Sequence, residues 1–305
     1  MQGKSGVLAG IVVYHPDEDH LRRLVAAVAP DADEVAVFAN SPLPDGLEAS
    51  LRLAAGGTAF AVLGGGANLG LGAAYDAFLG RARSRALPFA FLLDQDSLPR
   101  PGTIPALVAR HRELAASGER PAVVGPQPLD PAGEPMRLAL SRPDPAPPRP
   151  GLIRVAFVIS SGSLVSVEAA RTIGPFRADF FIDAIDLEWC FRAGAAGFSI
   201  WVAAQVAMDH RLGRGVIALP FGLLLADQPN LRLYTFIRNQ LAMLRLSHVP
   251  RAHKLKTVLS LPVRIPVYLA RNRFSRECRS ALWNGLVDGA LNRLGPPTRA
   301  AGTRR

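Results

Sequence analysis

Two aspartates one residue apart, Asp94 and Asp96, close the run FAFLLDQDS at 89–97. Carboxylates at the end of an apolar run are costly unless something cationic pairs with them. An isolated D-x-D reads first as two solvated turn residues. A second acidic group, Asp183, Asp186 and Glu188, lies about ninety residues downstream. The three-residue step from Asp183 to Asp186 sets two carboxylates on adjacent turns of a helix, or one at its cap. Such acids complement a helix N-terminus, or one of them serves as general base beside a substrate hydroxyl. His210 follows an apolar run and precedes Arg211; a lone histidine there reads first as a structural one. No H-E-x-x-H, C-x-x-C or G-x-S-x-G pattern is present, and Ser160-Ser161-Gly162-Ser163 is the nearest approach to a nucleophile elbow.

The elements that must position these groups alternate strand and helix. VLAGIVVY (7–14), EVAVFA (34–39), FAVLG (60–64) and the run before Asp94 read as buried strands rich in β-branched and aromatic residues. Between them fall a helix N-capped by Asp17, a short helix near 45–54, and a helix that starts from the glycine-rich turn at 64–72. A helix over 101–117 follows. The pattern predicts an α/β domain with a mostly parallel sheet. AVVGPQ (122–127) adds a strand, the proline-rich 126–150 reads as a long surface loop, 153–162 and 198–210 return to strand, and 166–173 to helix. The turn Asn68-Leu69-Gly70-Leu71-Gly72 lacks both the G-x-G-x-x-G fingerprint and a G-K-[ST]. What remains is a glycine turn at a helix N-terminus, able to meet an anion or simply to turn tightly.

The 305 residues are 49% hydrophobic and 20% charged, enough for a sizeable core. Two cysteines, Cys190 and Cys278, are too few for a disulfide framework and fit a reducing compartment. The N-terminal apolar run ends at His15-Pro16 and reads as a strand, not a signal peptide. The net charge of +10 is uneven: residues 211–305 carry 17 Lys and Arg against three acids. Their apolar stretches, VIALPFGLL (217–225) and TVLSLPVRIPVYLA (257–270), are short and broken by proline. This section reads as a helical subdomain with solvated arginines, or as a surface that lies on anionic lipid. No nucleic-acid motif accompanies the charge, so nucleic acid is not an expected partner.

Taken in order, VVYHP (12–16), NS (40–41), NLGLGAA (68–74), LLDQDS (92–97), ISSGSLV (159–165), IGPFRADFFIDAIDLEWCFRAGAAG (173–197) and DHRLG (209–213) resemble the inverting family-2 glycosyltransferases of GT-A fold, in their rhamnosyltransferase-like branch. The resemblance spans about 7–245. It implies a GT-A domain over 1–215, a Rossmann-like α/β unit, and a basic helical extension over 216–305. The implied reaction moves a sugar, with rhamnose from dTDP-rhamnose foremost, to a saccharide or lipid-linked acceptor in bacterial cell-surface polysaccharide synthesis. Val13, Tyr14, Asn40, Asn68, Gly70 and Asp94 would contact the nucleotide. Asp96, with His210, would hold Mg²⁺ or Mn²⁺. Asp186 would be the base, with Asp183 and Glu188 as supporting acids. Ser161, Gly162 and Arg192 would serve the donor-sugar and acceptor region, Arg192 pairing with the acids to keep Asp186 ionised. Tyr234, Arg238 and Asn239 match a Y...RN pattern of that branch. The implied location is cytoplasmic, peripheral on the inner face of the plasma membrane. One departure is Ala39-Asn40 where relatives carry Asp-Asn. It leaves open another donor such as UDP-galactofuranose, or a module that binds nucleotide sugar without turnover.

Overall fold

The computed structural model describes residues 5–130, 132–136, 149–209, 216–218 and 224–297. The first half alternates as its periodicity predicts: β1 (Val7–Val13), α1 (Glu18–Val28), β2 (Glu34–Ala39), α2 (Leu47–Ala54), β3 (Ala59–Leu63), α3 (Gly70–Ser84), β4 (Phe89–Asp94) and α4 (Thr103–Ala116). Asp17 caps α1 by accepting the His20 amide, and Leu21, Leu24, Val25 and Val28 form its buried face. β5 (Pro121–Leu129), β6 (Leu152–Arg154) and β7 (Ser163–Ser166) follow, then α5 (Val167–Ile173), α6 (Ile185–Ala195) and β8 (Ser199–Asp209).

These eight strands form one sheet, ordered β3-β2-β1-β4-β7-β5-β8-β6. β3, β2, β1 and β4 run parallel, as do β5 and β8. β7 enters antiparallel between β4 and β5, and β6 lies antiparallel on β8. Of the strand expected over 153–162 only Ile153 and Arg154 are strand, and an irregular link then leads to β7. Gly162 explains the break: its φ is +85°, and its amide donates to the Leu92 carbonyl at 2.8 Å instead of continuing a ladder. The expected surface loop at 126–150 begins as sheet, since β5 runs to Leu129; residues 137–148 lie outside the described residues.

The sheet is covered on both faces. One apolar cluster holds Leu21, Leu24, Leu47, Leu107 and Leu114 from α1, α2 and α4. The other holds Tyr75 and Phe78 of α3, Ile173 of α5 and Trp189 of α6. A hairpin, β9 (Val216–Ala218) with β10 (Leu224–Ala226), precedes three further helices: α7 (Asn230–Met243), α8 (Arg251–Arg271) and α9 (Arg276–Ala290). Leu233, Ile237, Leu261, Tyr268, Cys278 and Leu282 join these helices in a core of their own. Ala242, Met243 and Val249 belong instead to the cluster beneath the sheet, so the helical section shares a core with the α/β unit. Among the described residues no helix is long and apolar enough to cross a membrane.

Candidate functional site

The site forms where β1 and β4 end at the same edge of the sheet. Val12 lies beside Asp94 in the ladder. One residue further, Gln95 fastens the two ends together: its carbonyl accepts the Tyr14 amide at 2.7 Å and its amide donates to the Tyr14 carbonyl at 3.1 Å. Tyr14 is thereby held with half of its surface exposed (51%), its ring edge-on to His15. Val13 is fully buried and contributes only backbone to this edge.

Ser161 and Ser97 brace the turn that carries the two aspartates. The Ser161 hydroxyl accepts the Asp94 amide at 3.2 Å and bonds the Ser97 hydroxyl. Gly162 lets the neighbouring link pass close by, since a Cβ there would stand 2.3 Å from the Met208 sulfur. Ser161 and Gly162 thus support Asp94 from behind. Asp96 is exposed beyond them.

Asp186 opens α6 on the facing side. The amides of Leu187, at 2.8 Å, and Ser160 hydrogen-bond its carboxylate. Ser160 in turn bonds the Tyr75 hydroxyl at 2.7 Å. Burial raises the Asp186 pKa despite these bonds, and Asp183 adds to the rise. Burial also raises Asp94, to about 7, with the charges of Asp96 and Asp186 reinforcing it and Arg232 opposing it. Asp94, Asp96 and Asp186 are therefore one electrostatic unit, drawn from segments ninety residues apart.

Asp183 takes a different part. Arg232 of α7 donates to its carboxylate at 3.0 Å, and the Thr235 hydroxyl donates at 2.6 Å. Its backbone, with that of Phe181 and Ala184, is left-handed, at φ of +66°, +67° and +61° for 181, 183 and 184. Asn239 holds this bend by donating to the carbonyls of Phe180, Ile182 and Asp183 at 2.8–3.0 Å. Arg238 donates to the carbonyls of Phe180 and Gly295.

The glycine turn is a packing device. Asn40 is buried; its oxygen accepts the Leu69 amide at 2.9 Å and its amide donates to the Gly70 carbonyl at 3.3 Å. The exposed Asn68 accepts the Gly70 amide. Gly70 has φ +82°, and a Cβ there would stand 2.3 Å from the Phe181 carbonyl, which accepts the Leu71 amide at 2.8 Å. The first amides of α3 thus dock on the bend that leads to Asp183. Asn40 and Gly70 shape the turn rather than offer free polar groups to a ligand.

Two expected site residues lie elsewhere. Glu188 is 1% exposed and faces away from Asp186, held by Arg192 at 2.8 Å and His248 at 2.8 Å. Arg192 also donates to the carbonyls of Ile173 and Pro175, so its charge is committed to Glu188 and not to Asp186. Two positions off along a helix turns a side chain by about 200°, which separates Glu188 from Asp186. The cation that does act on the acidic unit is Arg232. Nothing in the pattern around 231–249 marked it, because Asp183 is 49 residues upstream; Gln95, between the two aspartates, was legible only as part of LLDQDS. His210 lies outside the described residues.

Among the described residues no three His, Cys, Asp or Glu gather into a ready-made metal cage. Asp94 and Asp96 nonetheless suit a hard divalent cation. Mg²⁺ commonly takes one or two carboxylates together with substrate phosphates, and these oxygens stand in an excess of negative charge.

No family model matches the chain. It is 30% identical over 104 residues to the dTDP-rhamnosyl transferase RfbF of Shigella flexneri, which covers 34% of this chain. The chain thus aligns with about a third (35%) of that curated relative's length. Among solved structures, S. aureus TarS 1-349 in complex with UDP-GlcNAc superposes with a TM-score of 0.59 at 15% identity, over 93% of this chain and 80% of that one. GalNAc-T7 with UDP, GalNAc and Mn²⁺ gives 0.56 at 14% identity, over 78% and 48%. The chain is built on the GT-A fold of the glycosyltransferases.

Proposed function

We propose that the chain is an inverting glycosyltransferase that moves rhamnose from dTDP-rhamnose to a saccharide or lipid-linked acceptor in bacterial cell-surface polysaccharide synthesis. The observation that carries this reading is the coupled carboxylate unit of Asp94, Asp96 and Asp186 at the sheet's edge. The 104-residue likeness to a dTDP-rhamnosyl transferase supports the choice of donor.

Asp186 is the general base. Its raised pKa suits it to take the proton of the acceptor hydroxyl. The freed oxygen attacks the anomeric carbon from the face opposite the diphosphate, and the bond from that carbon to the diphosphate oxygen breaks. The amides of Leu187 and Ser160 hold the carboxylate in place for this step. Asp96, with Asp94, is the place for Mg²⁺ or Mn²⁺, which when bound neutralises charge on the departing diphosphate. His210 is the further ligand in this reading. Tyr14, fixed by Gln95, and the Asn68 turn flank the nucleotide. Asp183 and Arg232 form the wall beside the base.

The chain also acts at a membrane surface on the cytoplasmic side in this reading. α8 exposes Leu255, Val258, Leu259 and Val263, and carries five Lys or Arg and no acid. An apolar stripe with only cationic neighbours suits anionic lipid. A UDP-linked donor is the second reading, since TarS was solved with UDP-GlcNAc.

The test is donor turnover with Mg²⁺ or Mn²⁺, comparing dTDP-rhamnose with UDP sugars. Asp186→Asn should lower transfer by about 10²–10⁴-fold while donor still raises the melting temperature. Full transfer by that variant removes Asp186 from the role. Turnover of UDP sugars alone replaces the donor.

A further inference from the structure

A cavity of about 800 Å³ opens beside α6, between β6, the start of β8 and α8. Its volume lies within the range of small-molecule sites. Its walls are apolar: Val155, Phe157, Leu187, Phe191, Phe236 and Leu261. Its charged lining is of one sign. Arg154, Arg251, Lys256 and Arg264 contribute, and no Asp or Glu lines it among the described residues. Glu188 of α6 does not line it; its carboxylate is bonded to Arg192 and to His248, which itself lines the cavity. Asp94, Asp96, Asp183 and Asp186 do not line it either, so the cavity is separate from the acidic centre. It begins one residue from that centre all the same, at Leu187.

The position of α8 relates this cavity to a surface. One side of the helix, through Lys256, Thr257, Ser260 and Leu261, lines the cavity. The opposite side exposes Leu255, Val258, Leu259 and Val263. Lys256 borders both.

We propose that this cavity binds the phosphate-bearing head and first chain segment of an anionic lipid, taken from the bilayer on which α8 lies. The apolar walls take the chain, and Arg251, Lys256 and Arg264 take the phosphate as charge-assisted partners. The occupant is a lipid and not free phosphate because most of the walls offer only hydrocarbon. The inference deepens the membrane-surface reading above and rests on it for the source of the ligand. It does not depend on the donor or the metal.

The test uses the full chain without nucleotide or metal. Calorimetry compares dihexanoyl phosphatidate below its micelle concentration, dihexanoyl phosphatidylcholine and inorganic phosphate. Flotation on vesicles with and without phosphatidate is run in parallel. A Cβ at Gly194, which lines the cavity, would meet nothing within 4 Å, so Gly194→Phe can fill the space without displacing backbone. Phosphatidate should bind at least tenfold more tightly than either control. Gly194→Phe, and the pair Arg251→Glu with Lys256→Glu, should each weaken it at least tenfold with an unchanged circular dichroism spectrum. Leu255→Ser with Leu259→Ser should abolish flotation yet keep binding of the soluble lipid. Equal binding of inorganic phosphate, or full binding by Gly194→Phe, overturns the proposal. Absence of sugar transfer with lipid binding intact defeats only the proposed reaction.

Discussion

Asp94 offers a direct measure of whether the acidic centre is built as described. Its carboxyl is pushed from 3.8 to about 7, first by burial and then by Asp96 and Asp186. An acid whose folded pKa is raised keeps its proton in the folded state where the unfolded chain has lost it. Stability therefore falls as pH rises from about 4 to about 7, and the cost is constant above that. The shift is about 3 units, and at ~1.4 kcal/mol per unit it sets a ceiling of about 4 kcal/mol. The side chain is half-buried, so water screening reduces this to about 1–2 kcal/mol. Asp94→Asn removes the charge and keeps the shape. The variant should become more stable than wild type at pH 8. Roughly two-thirds of the gap should open between pH 5 and 8, which is about 1 kcal/mol and a few degrees of melting temperature. The assay is urea unfolding in chelator at pH 5, 6, 7 and 8. A gap that stays constant over that range would refute the reasoning. Mn²⁺ at a hundredfold excess over its Kd should then stabilise wild type by about 2.7 kcal/mol at pH 8, and Asp94→Asn by far less.

Asp186 must be ionised to act as base, so the transfer rate should rise with pH through a midpoint above the ordinary carboxylate range; a flat profile from pH 5 to 8 contradicts the assignment. Asn239→Ala strips three carbonyls of their donor and should cost about 2–4 kcal/mol in urea unfolding. Gly70→Ala meets both a left-handed φ and the Phe181 carbonyl, and should cost at least about 2 kcal/mol by thermal unfolding. Glu188→Gln weakens a buried ion pair and should lower stability by about 2–4 kcal/mol while transfer stays within about tenfold; a complete loss of transfer with stability intact would return Glu188 to the chemistry.

What the sequence made legible follows local period. β1 to β4 and their helices declared themselves because strand and helix each bury residues at a fixed spacing. The acids at 94, 96 and 186 stood out because charge after a buried run is costly and so conspicuous. The 155–162 link did not stand out: its apolar composition imitates a strand, and only the left-handed Gly162 and its bond to Leu92 divert it. Glu188 shared a window with Asp186 and so seemed to share its task. A helix separates neighbours by 100° each, and spacing alone could not say which face turned to solvent.

The hardest part to read was α7, because its polar residues act at a distance. The basic section reads from its sequence as carrying solvated arginines, yet Arg238 and Asn239 are buried at 1% and 0% exposure. Burying a guanidinium and an amide is costly unless each finds partners. Both find them in carbonyls 56 to 59 residues away along the chain. All of them except the Gly295 carbonyl belong to a bend whose left-handed residues each cost about 1–3 kcal/mol, so α7 and the bend stabilise one another and neither is favourable alone. The bend sets where α6 begins, and hence where the Asp186 carboxylate stands. It also receives the first amides of α3 against Gly70. Arg238 and Asn239 thus hold the bend that leads to Asp186. The helix that looked like an appendage to the α/β unit is what holds the bend leading to Asp186.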